Sequence, residues 1–136
     1  MKLVHFLDGD ASLPRPGLLL PSGEEVVDLI SPHSGVASPS CPLEIFNLDG
    51  DVLPEIRVCA ASLEDDEALG SLRDSGCLLA KSSLRLTSPV PWPRKVVAIG
   101  RNYREHAEEQ GADIPEEPLI FSKFPTSVIG PGETVR

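Results

Sequence analysis

At 136 residues the chain has room for one domain, or for two if both are minimal. Its 40% hydrophobic and 24% charged residues fit a folded soluble protein, and no apolar run approaches the ~18 residues that a membrane-spanning helix needs. Twenty-one acidic against twelve basic residues leave a net charge of −9, which weighs against nucleic acid and anionic membrane as partners, since both need a basic surface.

Lys2 to Leu7 alternates loosely and predicts a strand, and Asp8-Gly9-Asp10 supplies turn chemistry. Arg15 to Pro21 predicts a second strand, Ser22-Gly23 turns the chain again, and Glu25 to Ile30 makes a third, so the region reads as a three-stranded meander. Ser31 to Pro42, rich in Ser and Pro, reads as a loop. Asp49-Gly50-Asp51 has the flavour of a calcium loop but lacks its other ligands, and a plain turn is expected. Ser62 to Arg73 predicts a helix, with Ser62 as its cap and Asp65 at the third position. Its acidic run Glu64 to Glu67 is read as a response to the helix dipole, because adjacent carboxylates on one turn point in different directions and make a poor metal site. Gly76 ends the helical region and Leu78 to Leu86 predicts one more strand.

Pro89, Pro91 and Pro93 alternate around Trp92 and favour a stiff, extended connector. The expected division is therefore 1–88 as an N-terminal region, 89–94 as connector and 95–136 as the start of a second domain. Fourteen prolines, about twice the usual share, also argue against long helices. Cys41, Cys59 and Cys77 form no C-x-x-C or Cys/His cluster, so free thiols in a reducing compartment are expected rather than zinc. No signal-peptide pattern follows Met1. The first thirty residues hold only Lys2 and Arg15 as cations, unlike an Arg-rich presequence, so a cytoplasmic location is expected, with a mitochondrial one left open.

The stretch Lys95 to Val135 is the most informative. Val96 to Ile99 predicts a short buried strand broken by Gly100. Asn102 stands at a helix N-cap with Glu105 three residues on, a capping box, and the helix should run over roughly Tyr103 to Gln110 and stop at Gly111. On that helix His106 and Glu109 are three apart and share a face. Pro118 to Phe124 predicts a second strand, with Leu119, Phe121 and Lys123 on one face and Ile120, Ser122 and Phe124 on the other. An imidazole beside a carboxylate makes a serviceable general base, since the carboxylate orients the ring and stabilises the imidazolium. From the spacing alone an ordinary His–Glu pair on a solvent-facing helix is the commoner reading.

Gly100, Asn102, Tyr103 and His106 form a G-x-N-Y-x-x-H block. It is followed by Glu117, Pro118, Phe121, Ser122, Lys123 and Phe124 in E-P-x-x-F-S-K-F, and then by Gly130-Pro131. Over about forty residues this resembles the opening of the fumarylacetoacetate hydrolase family's catalytic domain. The resemblance implies an α+β, mostly β protein: a small N-terminal meander and helix region followed by the start of a mixed β-roll. It implies action on a small keto acid by C–C hydrolysis, decarboxylation or tautomerisation, with acylpyruvate or oxaloacetate as examples. His106 and Glu109 match the acid/base dyad. Lys123 matches a strand lysine near the substrate, and Arg101, at a variable position, is a further candidate substrate contact. The family implies Mg²⁺ or Mn²⁺ as cofactor and commonly a homodimer.

One departure is expected to matter. The family's metal ligands lie in a later E-x-E strand motif, and no E-x-E follows Pro118, so no metal ligand is assigned in this chain. The sequence reads as the N-terminal third to half of such an enzyme. Three readings follow: part of an active family enzyme, a non-catalytic chain that associates with a full-length relative, or an unrelated small β-rich binding module.

Overall fold

The computed structural model describes residues 1–36, 52–101, 103–109, 111, 113 and 115–135, with Val52 and His106 described in backbone only. The expected Asp49–Asp51 turn, half of the loop to Pro42, Cys41 and the Asn102 cap lie outside the described residues. The fold is α+β, with strands predominating. The chain divides into two compact units, Met1–Pro91 with Ile129–Arg136, and Trp92–Val128.

In the first unit the expected meander forms as β1 (Lys2–Asp8), β2 (Arg15–Leu19) and β3 (Glu25–Asp28). Two helices follow, α1 (Val52–Ser62) and α2 (Asp66–Asp74). The second begins three residues later than expected, because Asp65 rather than Ser62 caps it, accepting a hydrogen bond from the Glu67 N–H at 3.0 Å. Ser62 instead closes α1, its hydroxyl donating to the Cys59 carbonyl at 2.8 Å. Helix α1 was not foreseen. Pro54 suggests a break, but a proline in the first turn has no intrahelical N–H bond to lose. Gly76 does end α2. At φ 70° it donates to the Arg73 carbonyl while Cys77 N–H reaches Leu72, the paired bonds of a Schellman motif.

The expected single strand over Leu78–Leu86 is split into β4 (Leu78–Ala80) and β5 (Leu84–Leu86) by a 3₁₀ turn at Lys81–Ser83. These halves lie at opposite edges of one antiparallel sheet of order β4-β3-β2-β1-β5. Four strand spacings of an open sheet would be about 19 Å, whereas the four steps from Ala80 to Leu84 reach about 14 Å at most. The sheet therefore curls until its edges approach.

Each face of this sheet has its own core. On the convex face Leu18, Val27 and Leu78 pack with Ile56, Cys59 and Leu63 from the helical segment. On the concave face lie Phe6 and Val26, both fully buried, with the Arg15–Asp28 ion pair beside them. Gly17 makes room there, since a Cβ would stand 2.5 Å from Val26 Cγ1 and 2.9 Å from Phe6 Cε1. Burial lifts the Asp28 carboxyl above its ordinary range, although the Ile30 N–H and the Arg15 guanidinium both pull it down. A raised folded pKa means that its contribution to stability is present at low pH and is lost as pH rises through that value, so Asp28 does not trigger acid unfolding.

Burial also raises both described thiols, Cys59 and Cys77. Iodoacetamide at neutral pH should therefore label neither in the folded chain while labelling both promptly in guanidinium chloride, as followed by peptide mass. Fast labelling of either in the native protein would contradict this packing.

The connector is fastened to the sheet. Thr87 N–H donates to the His5 carbonyl at 2.8 Å, and His5 Nδ1 lies 2.8 Å from the Pro89 carbonyl oxygen, so Nδ1 carries the proton. Gly130, from the returning segment, packs on the end of β5, where a Cβ would meet Thr87 Cα at 2.9 Å. The Gly of the Gly-Pro pair is thus required by backbone approach.

The second unit is an antiparallel ribbon, β6 (Val96–Gly100) and β7 (Leu119–Lys123), with α3 (Arg104–Glu109) between them in sequence. The helix begins one residue later than expected, at Arg104, and Gly111 takes the left-handed conformation at φ 60°. Ala107 is the only fully buried hydrophobic residue described in this unit. Val97, Ile99 and Ile120 on one face and Leu119 and Phe121 on the other are all exposed.

Candidate functional site

The turn after β6 positions the site. Gly100 pairs with Leu119, and a Cβ there would stand 3.0 Å from Leu119 Cδ2. Arg101 follows at φ 51°, a left-handed conformation that a non-glycine residue adopts at a cost of about 1–3 kcal/mol. This sharp reversal takes the chain from the strand end into α3, so that His106 and Glu109 follow within two turns of helix.

An open cleft of about 490 Å³ lies between this turn and β7, lined by Ile99, Gly100, Arg101, Tyr103, Glu105, Glu109 and Phe121. Of the expected site residues, Glu109 and Arg101 meet here. His106 lies on the same short helix, and its side chain is outside the description. Lys123 does not line the cleft. It pairs with Val96 at the opposite end of the ribbon from Gly100, and its ammonium lies 5.8 Å from the centre of the Phe121 ring. A second hollow of about 290 Å³ is lined by Ile99, Gly100 and Arg101 together with Pro115, Glu116, Glu117 and Pro118.

Sequence reasoning had not placed Tyr103, Glu105 or Phe121 at a site. Glu105 was read as half of a capping box, yet it and Glu109 are four apart and share the cleft. Chemically the cleft offers one guanidinium for a carboxylate, a phenol, an aromatic wall and two carboxylates. Among the described residues no group of three or more His, Cys, Asp or Glu could hold a metal ion. No step below passes through a divalent cation.

Residues 95–136 match the family model described as fumarylacetoacetate (FAA) hydrolase C-terminal. Over its full length the chain is 32% identical to the mitochondrial oxaloacetate tautomerase fahd2 of Xenopus laevis, covering 38% of that protein. It is 40% identical over 139 aligned residues to the mitochondrial oxaloacetate tautomerase Fahd2a of Rattus norvegicus, covering 39% of it. Over 58 aligned residues it is 48% identical to the oxaloacetate tautomerase YisK of Bacillus subtilis, covering 19% of that protein. The chain thus spans about two fifths of the length of the animal relatives.

Proposed function

We infer that the chain belongs to the fumarylacetoacetate hydrolase family and propose that it carries the proton-handling part of a site that tautomerises a small keto acid such as oxaloacetate. The observation that carries the reading is the six-residue helix α3. It holds His106 and Glu109 three apart directly after the Gly100–Arg101 reversal, with Glu109 and Arg101 lining one cleft. The relatives' names speak for tautomerisation rather than for C–C hydrolysis or decarboxylation.

Oxaloacetate interconverts between its 2-keto and enol forms when a proton leaves C3 and one is gained at the carbonyl oxygen. In this reading the neutral imidazole of His106 accepts the C3 proton, and Glu109 orients the ring and stabilises the resulting imidazolium. Arg101 takes a substrate carboxylate, and Lys123, held over Phe121, is the further cation assigned to substrate. The imidazolium, or a water it protonates, then delivers that proton to the enolate oxygen, so that His106 is neutral again when the enol forms, and the reverse direction runs the same two transfers backwards. A mitochondrial location is part of the proposal on the strength of the animal relatives' names.

The test is to join this chain to the remainder of the Xenopus laevis relative, in place of that protein's own matching portion, and to follow keto–enol interconversion of oxaloacetate. The joined protein should accelerate it while the chain alone does not. A folded joined protein with no acceleration would overturn the reading.

A further inference from the structure

Glu109 and Arg101 are not the only polar side chains on the cleft, since Tyr103 and Glu105 line it as well. Tyr103 stands at the entry to α3, where its carbonyl oxygen accepts the Ala107 N–H at 3.3 Å, the first i to i+4 bond of the helix. It therefore joins the frame of the helical residues that follow. At about 100° per residue, positions 105, 109, 106 and 103 succeed one another round the helix over an arc of about 160°. Positions 105, 109 and 103 all line the cleft, so position 106 falls inside the arc that faces it, with Glu109 on one flank and Tyr103 on the other.

Taking a proton from C3 of a 2-keto acid leaves negative charge on the oxygen at C2. A hydrogen-bond donor placed where that charge develops lowers the barrier more than it tightens substrate binding. Few side chains on this cleft can donate. Ionised Glu105 and Glu109 only accept, Ile99 and Phe121 are apolar, and Gly100 has no side chain. Arg101 and Tyr103 remain. The guanidinium is assigned to a substrate carboxylate, and its fork of donors suits the two oxygens of that group better than a single enolate oxygen. The phenol is a single, neutral donor, and Tyr103 is 67% exposed rather than committed to a core.

We propose that Tyr103 is a further catalytic residue of the tautomerisation, its hydroxyl donating a hydrogen bond to the C2 oxygen as the enolate forms. Tyr103 keeps its proton throughout. His106 takes the C3 proton and passes it to the oxygen, directly or through water, so the proton count of the cycle is unchanged. The base thus stands between the carboxylate that orients it and the donor that meets the charge it creates. The proposal rests on the tautomerase reading of the same cleft.

The test uses the protein joined to the remainder of the Xenopus laevis relative, with oxaloacetate as substrate. Tyr103→Phe removes the hydroxyl and keeps the ring. It should lower kcat about 10²–10³-fold, the usual cost of one donor to a developing oxyanion, and move KM by less than about threefold. The acid limb of its pH profile should survive, because His106 remains the base. Tyr103→Ala should lose no more than about threefold beyond Tyr103→Phe, the hydroxyl rather than the ring being what acts. An active joined protein in which Tyr103→Phe keeps kcat within about threefold overturns the assignment of Tyr103 and leaves the tautomerase reading standing. So does a large loss confined to Tyr103→Ala, which would give the ring a packing role. Loss of the acid limb in Tyr103→Phe contradicts the assignment too, since the residue would then act through the base. A folded joined protein that does not accelerate the interconversion overturns the tautomerase reading and this proposal with it.

Discussion

Phe6→Ala should destabilise the first unit by about 3–5 kcal/mol, the usual range for emptying a buried phenylalanine site. The ring is fully buried on the concave face, its strand pairs with β2 on one side and β5 on the other, and Gly17 stands beside it without a Cβ. Collapse to fill the space is hindered because the strand carrying Phe6 is paired on both sides. Small domains have only about 5–15 kcal/mol of stability in total, so the variant should be largely unfolded at modest urea concentration. Urea titration by far-UV circular dichroism measures this directly. A loss below about 1 kcal/mol would mean that the concave face is not a packed core. Gly17→Val probes the same space from the opposite side and should be destabilising for overpacking rather than for a cavity.

His106→Ala, in the protein joined to the remainder of the Xenopus laevis relative, should lower kcat about 10²–10⁴-fold, the usual share of a general base. KM should change less, because the carboxylate contacts are assigned to Arg101 and Lys123. Glu109→Gln should cost less than His106→Ala, since the imidazole remains and loses only an orienting charge. Equal losses in the two variants would mean that Glu109 does more than orient. A near-normal kcat in His106→Ala would reduce the residue to a surface position on a short helix.

The local parts of this structure were legible in the sequence and the non-local parts were not. The meander could be read because Asp8-Gly9-Asp10 and Ser22-Gly23 mark its turns, and Gly9 and Gly23 do take positive φ. The ribbon could be read from an unbroken apolar run before Gly100 and from period two after Pro118. Helix α2 was foreseen with the wrong start, because Ser62 and Asp65 are both able caps and only the presence of α1 decides between them. The division of Leu78–Leu86 had no local signal strong enough to show it. What separates the halves is that β3 takes one and β1 the other, which depends on how far the sheet curls. At the site, the spacing of His106 and Glu109 was visible, as was the interest of Arg101. That Glu105 and Phe121 line the same cleft as Glu109 depends on how the turn at Arg101 folds α3 relative to β7, which no spacing expresses.

The pH dependence of the rate tests the central claim most directly, because a lost base and a distorted site both lower activity but only one removes a titration. Oxaloacetate tautomerisation by the joined protein should fall as pH drops through the histidine's pKa, the imidazolium being unable to accept the C3 proton. In His106→Ala the residual rate should lose that acid limb and run flat through the same interval. If the acid limb persists unchanged in His106→Ala, another group is the base and the assignment of the dyad to α3 is wrong.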